Sequence, residues 1–206
     1  MPPACTCALT HSPRLVVITG GPGGGKTALL EVVQRDLCYH VVVLPEAAGI
    51  LWRGQFPRHL TIAGRKAAQR AIVRVQIEMQ RMTIEEGRAA LIVCDRGTLD
   101  GLAYWPGSES EYFDDIASTK QDEIARYATV IHMRTPSLDH GYMPSQFRIE
   151  SAAEAALIDA QIDAAWSGHR RRFVIDSDDD FVSKLHRALD LVRAEVPACC
   201  RTPASR

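Results

Sequence analysis

The 206-residue chain is poor in aromatic residues, at 6%, and nearly without lysine. Lys26, Lys66, Lys120 and Lys184 are its only lysines, and the rest of its 24 basic residues are arginine. A formal charge of -1 gives no support for a general nucleic-acid binder, so no nucleic acid is expected as a partner. No apolar run reaches the roughly 20 residues of a membrane span. The opening MPPACTCALTHSPR also lacks the basic-then-apolar layout of a signal peptide. Neither a membrane nor an export route is therefore expected. Arginine in excess of lysine suits forked recognition of phosphate or carboxylate, but genome composition alone produces the same bias.

Cysteine is present six times, yet no two pairs are spaced as a zinc site. Cys5, Cys7, Cys199 and Cys200 fall in end stretches rich in Pro, Ser and Thr, expected to be loose tails over 1–12 and 197–206. Cys38 and Cys94 sit beside or within apolar runs and read as reduced core thiols. A reducing, cytoplasmic location is the expectation.

The 46% hydrophobic and 24% charged fractions are those of an ordinary globular domain, here expected to span 13–196. Five short runs of Val, Ile and Leu, at Leu15–Thr19, His40–Leu44, Ala90–Cys94, Val130–Met133 and Phe173–Ile175, are continuous rather than alternating. That is the pattern of parallel strands covered on both faces. Helical stretches separate them: Lys26–Leu37, about Leu60 to Glu86, Lys120–Ala128, Glu150–Trp166 and about Asp180 to Ala194. In the longest, Ile72, Val75, Met79 and Met82 share one helical face and read as core. The fold class is α/β, a three-layer sheet with right-handed crossovers, whose ligands bind beyond the carboxyl ends of the strands.

At the end of the first run stands GGPGGGKT, Gly20 to Thr27, matching G-x-x-x-x-G-K-[ST]. A shuffled chain of this composition would contain that pattern in roughly 0.2% of cases, so a ligand-free glycine turn is the poorer explanation. Gly21, Pro22, Gly23, Gly24, Gly25 and Ala28 are expected around a nucleoside triphosphate, with the N–H groups of the glycines and the helix dipole facing its phosphates. Lys26 is expected to reach the outer phosphates, and the Thr27 hydroxyl to ligate Mg²⁺. Asp95 ends the third run and is a second candidate magnesium ligand.

The chain resembles the P-loop kinase-like ATP-binding proteins of the AAA-domain and nicotinamide-riboside-kinase group, relatives of thymidylate and deoxynucleoside kinases. The resemblance rests on GGPGGGKT, on PEAA at Pro45–Ala48, on DRG at Asp95–Gly97 and on R-x-E-S at Arg148–Ser151. It also extends through the closing helix, the last strand and the acidic loop after it. It implies a five-stranded sheet in the order 2-3-1-4-5 with a helical lid, and ATP and Mg²⁺ as donor and cofactor. The acceptor would be an unidentified small molecule. It further implies that Glu46 takes the proton of an attacking hydroxyl while Asp95 serves the metal. Arg148, Arg134 and Arg96 are the candidates for neutralising phosphoryl charge, and Asp178 lies in the loop beside the base. Trp52, Arg53 and Phe56 could line an acceptor pocket or be ordinary packing. The function expected is phosphoryl transfer to a hydroxyl of a nucleoside, nucleotide or related metabolite. The alternatives are a triphosphatase acting on water and a nucleotide-sensing module. A GTPase is disfavoured because Thr98 replaces the glycine of D-x-x-G, and TKQD at Thr119–Asp122 sits at a helix start.

Overall fold

The computed structural model describes residues 5, 7–136, 152–177 and 180–201. Five parallel strands form one sheet: β1 (Arg14–Thr19), β2 (Val41–Leu44), β3 (Leu91–Asp95), β4 (Thr129–Met133) and β5 (Arg172–Ile175). Their order is β2-β3-β1-β4-β5, as the sequence resemblance implied. Because β1 is central, Ile18 pairs with both Asp95 of β3 and Ile131 of β4. The carboxyl ends of three strands therefore meet at one point.

Alternation along each strand divides the interior in two. Val16, Ile18, Leu91 and Val93 face α1 (Lys26–Asp36) and α7 (Phe181–Glu195), packing on Leu29, Val33, Ala188 and Val192. Leu15, Val17, Ile92 and Cys94 face the opposite layer, where Val73, Tyr112, Ile162 and Trp166 cover them. That layer contains α3 (Ile62–Glu85), α4 (Glu109–Ile116) and α6 (Ala152–Ala165). Two short helices, α2 (Ala47–Arg53) and α5 (Lys120–Ala125), and a 3-10 turn over Thr98–Tyr104 complete this part of the fold. No helix among the described residues is long and apolar enough to cross a membrane.

The buried side of α3 differs from the expected stripe. Gln69, Val73, Gln76, Gln80 and Thr83 face inward, whereas Met82 is 54% exposed. Hydrogen bonds make this polar face possible. The Gln80 amide donates to the Tyr127 hydroxyl at 3.0 Å, and Gln76 donates to the Arg96 carbonyl at 2.7 Å. Met79 and Ile77 still pack at the edge of the core. Hydropathy placed the face about one residue away from where hydrogen bonding sets it.

The end segments, expected to be loose, make contacts where they are described. Cys200 is buried in the core, Cys5 and Cys7 pack against it, and Ala198–Cys200 forms a 3-10 turn. The TKQD segment forms a helix cap, since the Thr119 hydroxyl accepts from the Asp122 amide at the start of α5.

Candidate nucleotide and acceptor site

The chain leaves β1 through Gly20 to Gly25 and enters α1 at Lys26. Gly20, Gly23 and Gly25 all have positive φ, at 123°, 84° and 93°. At Gly20 and Gly24 a Cβ would collide with the Met133 carbonyl, so the loop lies directly on the end of β4. Glycine is therefore required twice over, by dihedral angle and by space. Gly25 caps α1 without a side-chain hydrogen bond, and the first turn of α1 holds no acidic residue. Such a helix start favours an anion. Thr27 and Ala28 lie in that first turn.

Lys26 is buried and donates to the carbonyls of Gly20 and Gly21, each at 2.8 Å. Burial pulls its pKa down to about 8, with Arg96 adding to the effect and Asp95, Asp100 and Glu46 opposing it. Two further bonds brace the loop. The Gly21 amide donates to Asp159 Oδ1 at 2.6 Å, and the Thr135 hydroxyl donates to the Pro22 carbonyl at 3.0 Å.

Asp95 closes β3 beside this loop. Its Oδ1 is buried and accepts no hydrogen bond among the described residues. Burial raises its pKa to about 6; Lys26 and Arg96 pull the other way, while Glu46 and Asp100 add to the rise. A buried carboxylate oxygen lacking a donor is a ready ligand for a hard cation, so the donor set fits magnesium.

Arg96 has φ 72°, a left-handed conformation that turns its side chain back across the rim. Its Nε donates to Glu46 Oε1 at 2.7 Å, and a terminal nitrogen lies 3.3 Å from the Gly20 carbonyl and 3.4 Å from Asp100 Oδ2. Burial disfavours its charge, but Tyr104, Glu46 and Asp100 hold its pKa above the ordinary arginine value. Burial likewise pushes Glu46 up, yet Arg96, Lys26 and Arg53 outweigh it and leave the carboxyl below its usual range. Glu46 is the N-cap residue of α2, but its side chain makes no capping bond. It is committed to Arg96 instead.

Glu46 and Arg96 line a cavity of about 460 Å³ that Pro22 joins to the glycine loop. Asp100, Arg58 and Arg65 add further charges, while Trp52, Ile72 and Tyr104 supply apolar and aromatic walls. Arg53 and Phe56 do not line it; Phe56 stacks edge-on to Trp52, 6.0 Å away, and so supports the wall from behind.

Arg134 follows β4, where it is bound to carboxylates. It lies 3.7 Å from Asp159, 3.3 Å from Asp163 and 3.1 Å from Asp176. His132, within β4, is fully buried with Nε2 3.1 Å from Asp159. Arg148 and Asp178 lie outside the described residues, as do Glu150 and Ser151.

Two site residues carry no motif. Asp100 accepts from Thr19 at 2.7 Å and from the Trp166 indole at 2.6 Å, fixing the turn after DRG. Asp159 joins the glycine loop to α6. Its four-residue spacing from Asp163 on α6 was the one available hint.

A family model described as an AAA domain matches residues 15–184. The chain belongs to this AAA-domain family. The match spans both the glycine loop and the residues that line the cavity, not the loop alone. Among solved structures, the NadR protein in complex with NAD and AMP-PNP has a TM-score of 0.62 at 14% identity, covering 95% of this chain and 51% of that one. This chain thus spans about half the length of that protein. Deoxyadenosine kinase from M. mycoides, with products dCMP and dCDP bound, gives 0.55 at 11% identity over 88% of this chain and 100% of the other. Thymidylate kinase from Candida albicans gives 0.56 at 12% identity over 89% and 92%. The shared property is the P-loop kinase-like fold. No curated protein matches the chain in sequence.

Proposed function

We propose that this protein is a P-loop phosphotransferase that moves the γ-phosphoryl group of ATP to a hydroxyl of a nucleoside, nucleotide or related metabolite. One observation carries the reading: the Glu46–Arg96 ion pair, 2.7 Å long, faces a cavity continuous with the phosphate loop. A triphosphatase acting on water needs no second chamber. This one, at about 460 Å³, lies in the usual range for a small-molecule site. Its aromatic walls and the amides of Gln69 and Gln76 suit a flat, hydrogen-bonding ring. A bound ATP analogue in the similarly folded NadR structure supports ATP as the donor.

In this reading the amides of Gly23 to Thr27 and the start of α1 hold the triphosphate, with Pro22 and Ala28 shaping the loop and the Gly21 amide remaining on Asp159. Lys26 exchanges its two carbonyl partners for phosphate oxygens. Thr27 and Asp95 would hold Mg²⁺, which when bound offsets charge on the phosphate oxygens. Glu46 is ionised at neutral pH and orients the acceptor hydroxyl, taking its proton as the oxygen attacks. Arg96, fixed between Glu46 and Asp100, sits where acceptor and phosphoryl group would meet and favours the charge developing there. By the resemblance alone, Arg134 and Arg148 would neutralise phosphoryl charge and Asp178 would lie beside the base; Arg148 and Asp178 are outside the described residues. Positioning and charge neutralisation then supply most of the acceleration.

The test is a panel of nucleosides, nucleotides and other hydroxyl metabolites incubated with the protein, Mg²⁺ and γ-labelled ATP. The expected result is label in at least one acceptor. Tight ATP binding with phosphate released only to water would replace this reading with that of a triphosphatase. Tight binding without turnover would make the protein a nucleotide sensor.

A further inference from the structure

Five of the six cysteines and two histidines converge on the side of the sheet opposite the glycine loop. His11 precedes β1, while Cys38 and His40 precede β2, so these residues lie at the amino ends of their strands. The loop follows the carboxyl end of β1, six residues farther on, a separation of roughly 20 Å. Cys199 and Cys200 reach the same place from the end of α7, and Cys5 and Cys7 from the beginning of the chain.

The ligand atoms fall into two sets of four. One contains Cys5, Cys38, His40 and Cys200; the other contains Cys7, His11, Cys199 and Cys200. Within each set the atoms lie within 4.8 Å of one another. Tetrahedral zinc, with bonds of about 2.3 Å to sulfur and about 2.0 Å to nitrogen, would place its ligands about 3.5 to 3.8 Å apart. The recorded separations bracket those edges. Cys200 Sγ lies 3.4 Å from His40 Nδ1, 3.7 Å from His11 Nε2 and 3.9 Å from Cys199 Sγ. His11 Nε2 is also 3.3 Å from Cys7 Sγ and 4.0 Å from Cys199 Sγ.

The ligand count is informative. Two tetrahedra sharing one corner require seven ligands, and seven are gathered here with Cys200 common to both sets. We propose that Cys5, Cys7, His11, Cys38, His40, Cys199 and Cys200 hold two zinc ions, bridged by the Cys200 thiolate. Binding displaces five thiol protons, and five thiolates with two Zn²⁺ and neutral imidazoles carry a net charge of -1. A single ion on the three thiolates of either set would also carry -1, so it is the seven converging ligands rather than charge that call for two ions. Disulfides account for the arrangement less well. All six cysteines are free thiols, the Cys199 and Cys200 sulfurs are 3.9 Å apart, and pairing of sulfurs gives the two imidazoles no role.

The pair of ions is structural. It fastens both ends of the chain to the α1–β2 turn, and the His40 carbonyl in that turn accepts from the amides of Ala90 and Leu91 as β3 begins. Metal binding at such a site contributes folding energy directly.

The test is elemental analysis of the full chain, purified under reducing conditions from zinc-supplemented cells. Two zinc ions per chain are expected, and cobalt substitution should give the absorption of tetrahedral thiolate coordination. Cys7→Ser and Cys38→Ser should each retain one ion, and Cys200→Ser neither. Should a variant fail to fold, progressive thiol modification of the parent protein, with released zinc read by a chromophoric chelator, must liberate two ions. A content of zero or one in the parent overturns the proposal. So does a Cys200→Ser protein that keeps both ions, or a reduced preparation whose sulfurs are paired.

Discussion

The Gly21 amide donates to Asp159 Oδ1 at 2.6 Å, joining the phosphate loop to α6 across 138 residues of sequence. The same oxygen lies 3.1 Å from His132 Nε2 and 3.4 Å from the Thr135 amide. Burial alone would raise the Asp159 carboxyl; hydrogen bonds from His132 and Gly21 outweigh it and hold the pKa below its usual range. One carboxylate therefore organises the loop, the end of β4 and the helix behind it.

Replacing Asp159 with alanine removes the acceptor for a buried amide, a loss worth about 1–3 kcal/mol. Chemical denaturation should show a decrease of that size, and ATP affinity should fall several-fold because the loop loses its brace. Asp159→Asn keeps an oxygen acceptor and should lie between the two proteins. Unchanged ATP affinity in Asp159→Ala would show that the loop keeps its shape without α6.

The strand framework was legible in the sequence because parallel strands buried on both faces leave unbroken apolar runs. Gly20 to Thr27 were legible because their dihedral angles and close packing admit few residue types. The α3 face was displaced because Gln76 and Gln80 are buried through hydrogen bonds that hydropathy does not register. Asp100 and Asp159 were missed since a single aspartate carries no pattern; only the fold reveals that Trp166 and Gly21 point at them. The cysteine–histidine cluster escaped for a related reason. Its ligands come from both ends and from a turn at Cys38, as far apart as 195 positions, whereas zinc motifs are read from local spacing.

Glu46→Gln preserves the shape of the side chain and leaves Arg96 Nε an oxygen to donate to. Transfer to the acceptor should fall about 10² to 10⁴-fold, the usual contribution of a general base. ATP affinity should stay within about threefold, because Glu46 faces the cavity and not the glycine loop. A matched fall in ATP binding, measured by calorimetry, would instead give Glu46 a role in holding the loop together.

Lys26→Ala removes the one ammonium that bonds the Gly20 and Gly21 carbonyls. Charge-assisted hydrogen bonds are worth about 1.5–3 kcal/mol each, so ATP affinity should drop by at least about tenfold, and by a hundredfold if one bond's full value is lost. The thermal shift produced by Mg²⁺ and ATP should shrink accordingly. An undiminished shift would place the triphosphate elsewhere.

Asp95 separates stability from function. Burial raises its pKa from the usual 3.8 to about 6. Between those values the folded chain holds a proton that the unfolded chain has released, so stability falls as pH rises through this window. The penalty is absent below it and complete above it. Asp95→Asn removes the charge, and the protein without nucleotide should gain up to about 3 kcal/mol at pH 7.5, the free energy equivalent of that interval. The gain should shrink to about 0.5 kcal/mol near pH 4, where the parent carboxyl is protonated in the fold and only partly ionised in the unfolded chain. With Mg²⁺ and ATP the order should reverse, since the variant has lost a metal ligand while the parent is stabilised by its complex. Paired melting curves at pH 4 and 7.5, with and without Mg²⁺ and ATP, measure all four states. A variant that gains nothing at pH 7.5 would mean that the carboxylate is already balanced by Lys26 and carries no unfavourable charge for a cation to relieve.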